Sequence, residues 1–402
     1  MPTPRSTVRV TVLALLLTAL STVVPAVRPG PVRSVPPPSP AAERAAPMAD
    51  AAVEPVSTER TTPVRTTDSR TLAGRRVVYS YPGPIPPPAL LQTVREGRAA
   101  GVILFKENAA SPAQLQAAVR QLSQAAAEAP GGSPLLLMTD QEGGKIRRLP
   151  GAPELSARRT GLAADPPAEA ARSGTGAAQT LAAAGLNVNL APVLDVYDAP
   201  DNFIDHHERS YSQDPAVVGE LGAAYLAAQQ ALGVAATAKH FPGLGAAARE
   251  ENTDERPVTL PVSLVDLRER GLAPYRAAIA AGVRLVMTSW AVYPALDPGR
   301  PAGLSSVVVQ GELRARLGFE GVTVTDALEA GALAAFGDTA ARTLAAAEAG
   351  MDLLLCSARD VHQGDVAAQA LAAALDDGRL DRAAFTEAVG RVDALRTSLA
   401  AP

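Results

Sequence analysis

Eight short apolar runs, each followed by a turn and a helix-like stretch, constrain the fold of this 402-residue chain more than any other feature. They are "RRVVYSY" (75–81), "GVILF" (101–105), "PLLLMTD" (134–140), "VNLAPVLDV" (188–196), "VAATAKHF" (234–241), "RLVMTSW" (284–290), "GVTVTDAL" (321–328) and "MDLLLCS" (351–357). Each run is continuous rather than alternating, the pattern of strands buried on both faces. Between them lie Ala- and Leu-rich segments such as 111–129 and 214–233, which open on Ser-Pro and Asp-Pro. A capping side chain followed by proline is a good helix start. Eight strand–helix alternations predict an α/β fold, a (β/α)8 TIM-type barrel spanning 75–402 as one domain. A doubly wound open sheet fits the same pattern. The polar residues favour the barrel: Asp140, Asp195, Lys239, His240, Trp290 and Asp326 all fall at or just past strand C-terminal ends. Barrel enzymes and sugar-binding barrels collect their working groups there.

Ahead of the barrel, Arg5 and Arg9 precede the apolar stretch 10–24, and Val24 and Ala26 place small residues at a cleavage site. This predicts a signal peptide over 1–26, with an uncleaved anchor as the alternative; fifteen residues are short for a span. Residues 27–74 are Pro-, Ala- and Arg-rich and free of aromatics up to the barrel, so a disordered linker is expected. The protein is then secreted or cell-envelope associated, without stable membrane insertion after cleavage, and a monomer is expected. A net charge of −4 with only three lysines gives no footing for nucleic acid. Cys356 is the only cysteine and there are four histidines, so neither an internal disulfide nor a Cys/His metal cluster is expected.

Each polar cluster has a plain and a functional reading. Asp326 ends an apolar strand, where it serves either as a helix cap or as a nucleophile. The stretch "DQEGGKIRR" (140–148) is either a salt-bridged surface loop or a set of acceptors for sugar hydroxyls, with Gly143 and Gly144 permitting close backbone approach. In "DHHERSYSQDP" (205–215), adjacent histidines on a strand point apart, which disfavours a metal site, while Arg209 can donate to a substrate oxygen. Lys239 and His240 are either an exposed pair or cations anchored by carboxylates and hydroxyls.

Seven segments in order resemble glycoside hydrolase family 3, in particular its single-domain bacterial β-N-acetylglucosaminidases. They are 101–108, 140–148, 189–196, 208–215, 239–245, 300–305 and 318–333, and the likeness covers roughly 75–399. The resemblance implies that Asp326 is the nucleophile and that Asp140, Arg148, Arg209, Lys239 and His240 bind the sugar. It implies a retaining mechanism through a covalent glycosyl-enzyme, with no metal or organic cofactor.

One loop departs from that pattern. The family usually reads Lys-His-Phe-Pro-Gly-His-Gly, then Asp-Thr-His or Asp-Ser-His, whose histidine is the acid/base. This chain has Leu244 for the first loop histidine and Asn252-Thr253-Asp254 for the motif; Trp290 stands where relatives often carry histidine. Three readings follow. Asp254 is the acid/base, its proton affinity raised by burial or a neighbouring carboxylate. Or the loop stays open and turnover is slow, helped by water or an anion. Or turnover is lost and the barrel binds glycans or muropeptides. The first predicts an exported glycosidase for β-linked N-acetylhexosamine in peptidoglycan or chitin fragments, with carbohydrate as its partner.

Overall fold

The computed structural model describes residues 67–132 and 134–399. The signal peptide expected over 1–26, and the linker up to residue 66, lie outside the described residues. Eight parallel strands close into a barrel: β1 Val77–Tyr79, β2 Gly101–Ile103, β3 Leu136–Thr139, β4 Val188–Asn189, β5 Ala235–Phe241, β6 Leu285–Thr288, β7 Val322–Ala327 and β8 Leu353–Leu355. Each pairs with its neighbours in chain order, and β1 pairs with β8. The open-sheet alternative is therefore excluded. All eight expected runs carry a barrel strand, though most strands are shorter than their runs.

The largest shortfall is β4, which stops at Asn189 although the apolar run continues to Val196. Pro192 has no amide to give to a ladder, and beyond it only a single bridge, Val193 with Lys239, rejoins the sheet. At the N-terminal edge, residues 69–74 form a helix, Ser69–Gly74, capped by Asp68, with Ala73 fully buried. The expected linker thus ends before this helix. Leu72 and Ala73 find apolar partners in the same core as Leu371 and Leu375, which is what orders this short segment.

The helix-start signals hold. Ser111 accepts from Gln114 N–H at the head of Pro112–Ala127, and Asp214 accepts from Ala216 N–H at the head of Pro215–Gln230. Val78, Met138, Val188, Met287, Val324 and Leu353 fill the barrel. The final helix, Arg382–Ser398, adds Val392 and Leu395 to that cluster from the N-terminal ends of the strands. There Arg391 grips the buried Asp352 at 2.8 Å. With one end plugged, chemistry is left to the other.

Two breaks in the barrel register matter there. Between β5 and β6 the pairing shifts between Ala238 and Phe241, bracketing Lys239 and His240. Between β7 and β8 it shifts between Val324 and Ala327, bracketing Asp326. Such irregularities bend a strand and re-aim its side chains.

Candidate active site

A cavity of about 440 Å³ opens at the C-terminal ends of the strands. Its walls include all seven residues singled out from sequence: Asp140, Arg148, Arg209, Lys239, His240, Asp254 and Asp326. They come from five segments of the chain, and each is placed by identifiable contacts.

The 140–148 loop is a hairpin, Gln141–Gly143 against Ile146–Arg147. Asn189, on β4, fixes its base by accepting from Gln141 N–H at 3.0 Å and donating to Gln141 O at 3.2 Å. The Gln141 side chain spans the loop to both the amide and the carbonyl of Leu149. Gly143 and Gly144 do permit close approach, but to the protein itself. Both have positive φ, and a Cβ on Gly143 would lie 2.2 Å from Leu155 O.

This bracing holds a buried charge network. Lys239 Nζ lies 2.7 Å from Asp140 Oδ1 and 2.8 Å from Glu142 Oε1. Arg209 forms a two-pronged pair with Glu142, at 2.9 and 2.7 Å. Burial alone would raise the Glu142 carboxyl, but Arg209 and Lys239 outweigh it and hold it far below the usual range. Asp140 is lowered in the same way: Lys239 and Arg148 overcome burial. Burial opposes the charge on Lys239, yet the two carboxylates raise it above its ordinary value. The exposed-pair reading of Lys239 and His240 fails, since they are only 2% and 5% exposed.

His240 is oriented by a residue that sequence reasoning noted only as a strand-end carboxylate. Asp195, fully buried after β4, receives the ring Nδ1–H at 2.7 Å, and its other oxygen accepts from Leu244 N–H at 2.7 Å. The ring Nε2 faces Arg209 Nη2 at 3.2 Å. Arg209 can only donate, so Nε2 accepts and the imidazole proton sits on Nδ1. In this arrangement His240 has no proton to offer a leaving group. In sequence Glu142 is one acceptor among several; its place at the centre of the charge network depends on folding.

Contrary to the strand expected for them, the histidines at 206–207 lie at the end of a short helix, Phe203–His206, where His206 Nδ1 meets Asp201 at 2.9 Å. His207 lines the cavity edge-on to Phe203. Burial first, then His206 and Arg209, lower its pKa, which disfavours its acid form.

Asp326 lies at the bulged end of β7. Its Oδ1 accepts from Ala327 N–H at 2.8 Å. Asp254 reaches the same cavity from the loop after β5, and that loop is docked rather than open. Gly331 N–H donates to Asp254 O at 2.8 Å and Ala332 N–H to Thr253 O at 3.0 Å. The approach is close enough that a Cβ on Gly331 would lie 2.2 Å from Glu255 O. The Asp254 residue is open to the cleft, yet its carboxyl is crowded by protein. Loss of solvent, then the charge of Asp326, push that carboxyl up to about 6.

A closed (β/α)8 barrel whose mouth holds a raised carboxyl, a second carboxylate and a buried charge network has the make-up of a glycoside hydrolase. The chain belongs to glycosyl hydrolase family 3: residues 88–395 match the Glycosyl hydrolase family 3 N terminal domain. It is 46% identical over 329 residues to an "Uncharacterized secreted glycosyl hydrolase" of Arthroderma benhamiae, covering 82% of this chain and 93% of that one. It is 38% identical over 266 residues to a "Beta-hexosaminidase" of Stenotrophomonas maltophilia, covering 64% and 75%. Among solved structures, a family 3 β-N-acetylglucosaminidase from Paenibacillus sp. str. FPU-7 superposes with a TM-score of 0.78 at 36% identity. That match covers 84% of this chain, which spans only 64% of the Paenibacillus one. A β-N-acetylhexosaminidase from Beutenbergia cavernae superposes with a TM-score of 0.74 at 33% identity, over 82% and 99%.

Proposed function

We propose that the protein is an exported β-N-acetylhexosaminidase acting with retention, with Asp326 as nucleophile and Asp254 as acid/base. One observation carries this reading: a carboxyl raised to about 6 shares the cavity with the strand-end carboxylate, in the place where the expected histidine is missing. In the first step the Asp326 carboxylate bonds to the anomeric carbon. The bond to the leaving oxygen breaks, and that oxygen takes the Asp254 proton. In the second, Asp254 takes a proton from water, whose oxygen bonds to the anomeric carbon as the bond to Asp326 breaks. Asp140, Arg148, Arg209, Lys239 and His240 line the sugar-binding cavity, and Arg209 also braces Glu142 and His240.

The sugar class rests on the named relatives, and peptidoglycan or chitin fragments are its natural sources. Export rests on the apolar run at 10–24 and on the relative called secreted. A chromogenic β-N-acetylglucosaminide tests the reading. Asp326→Ala should lower kcat/KM by about a thousandfold or more, and Asp254→Ala by less on such an activated substrate. A wild-type protein that binds sugars but turns over no glycoside would instead support a glycan- or muropeptide-binding role.

A further inference from the structure

Trp290 is the only tryptophan in the chain, and it follows β6. Its side chain is fully buried, packed in one core with Leu304, Leu328 and Leu333. A buried indole N–H needs an acceptor. This one finds Ala327 O at 2.8 Å. Ala327 is the residue after Asp326, at the point where β7 has slipped its register with β8. The Ala327 carbonyl also accepts from Ala330 N–H at 3.1 Å, so the indole is its second and shorter donor. The amide of Ala327 donates to Asp326 Oδ1 at 2.8 Å. The Ala327 backbone is therefore tied at both ends, its carbonyl to the indole and its N–H to the carboxylate. Space for the ring comes from Gly303, where a Cβ would lie 2.5 Å from the indole.

We propose that Trp290 is a positioning residue for the nucleophile: by holding the Ala327 carbonyl, it keeps the Ala327 amide on Asp326 Oδ1 and presents Oδ2 to the anomeric carbon. The inference rests on the reading of Asp326 as nucleophile. It places the control of that carboxylate just past the end of the neighbouring strand, in a residue that does not line the cavity.

Because no other tryptophan exists, a tryptophan-auxotrophic host grown on benzothienylalanine replaces this one indole with a ring of the same shape whose N–H has become sulfur. The exchanged enzyme should bind N-acetylglucosamine as the wild type does, while kcat on an aryl β-N-acetylglucosaminide falls about tenfold. Equal turnover by the two proteins overturns the proposal, as does a loss confined to sugar binding. The second measurement needs no turnover. In wild-type protein the single indole 1H–15N resonance should exchange slowly with water and shift in Asp326→Ala. An indole resonance that exchanges at the solvent rate, or ignores Asp326→Ala, overturns the proposal whatever the activity. A protein without turnover whose indole resonance behaves as expected would sink the glycosidase reading and leave the clamp standing.

Discussion

The backbone carbonyl of Asp254 accepts the amide of Gly331 at 2.8 Å, so the loop carrying the raised carboxyl is fastened to the loop that follows Asp326. The two carboxyls of the proposed mechanism thus share one support, built from main-chain bonds. A glycine permits it, because any Cβ at 331 would collide with Glu255 O at 2.2 Å.

Gly331→Ala should therefore separate the two carboxyls without touching either. The backbone at 253–255 must retreat, and Asp254 moves with it. Turnover of an unactivated disaccharide should fall by roughly a hundredfold, the usual size of a displacement of about 1 Å in a catalytic group. An aryl glycoside with a good leaving group, which needs little protonation, should lose far less. Equal losses on both substrates would argue against a selective effect on the acid.

The same carboxyl sets a pH limit. Asp254 must carry its proton in the first step, so kcat/KM on an unactivated substrate should fall as pH rises through about 6. Asp254 and Asp326 interact, so the limb reports the pair rather than either group alone. In Asp254→Asn that limb should vanish from the residual activity on an activated substrate. A limb that survives the substitution would assign it elsewhere, with His207 the first alternative on the cavity wall.

Much of this was legible in the chain. Eight apolar runs marked eight strands, and polar residues at their ends marked the working face, because burial on both sides leaves a strand no other place for a charge. Asp326, Lys239 and Asp140 stood out for that reason. The centrality of Glu142 was not legible, since its partners Arg209 and Lys239 lie 67 and 97 residues away and meet it only in the closed barrel. Asp195 carried a signal as a strand-end carboxylate, but its grip on His240 depends on the bend at the end of β5. The docking of Asp254 was hidden most completely, because hydrogen bonds between main chains leave no side-chain signature beyond Gly331.

Glu142 should matter to stability as much as to activity. It is 8% exposed and faces both Arg209 and Lys239. Glu142→Gln leaves Lys239 with Asp140 as its ion-pair partner and Arg209 with only the more distant charges of Asp195 and Asp140, and should cost about 3 kcal/mol at pH 7. Its folded carboxyl is held far below the ordinary value, so its stabilisation is complete above the unfolded pKa of roughly 4.3 and is lost progressively as pH falls from there towards the folded value. Denaturant titrations from pH 7 down to pH 3 should show the wild type losing part of this contribution and Glu142→Gln showing a flatter profile. Parallel profiles would mean that the ion network adds nothing net to the fold.

Asp254 should behave in the opposite sense. Its folded carboxyl is raised by loss of solvent and by Asp326, so the native state binds that proton more tightly than the unfolded chain does. Below the unfolded pKa of about 4 both states are protonated and the group is neutral in effect. As pH rises from there to about 6, the unfolded chain ionises freely while the native state resists, and stability is drawn down. Asp254→Asn removes that penalty, so its Tm at pH 7.5 should exceed the wild type's by about 1–2 °C, with no difference at pH 4. The increment is kept small because the carboxyl opens on a wet cleft, where solvent screens part of the repulsion. Scanning calorimetry at the two pH values decides it. A variant that is less stable at pH 7.5 would show that Asp254 is held by favourable contacts rather than strained by Asp326. A stabilised but inactive Asp254→Asn would instead have the profile of a catalytic acid kept at the expense of the fold.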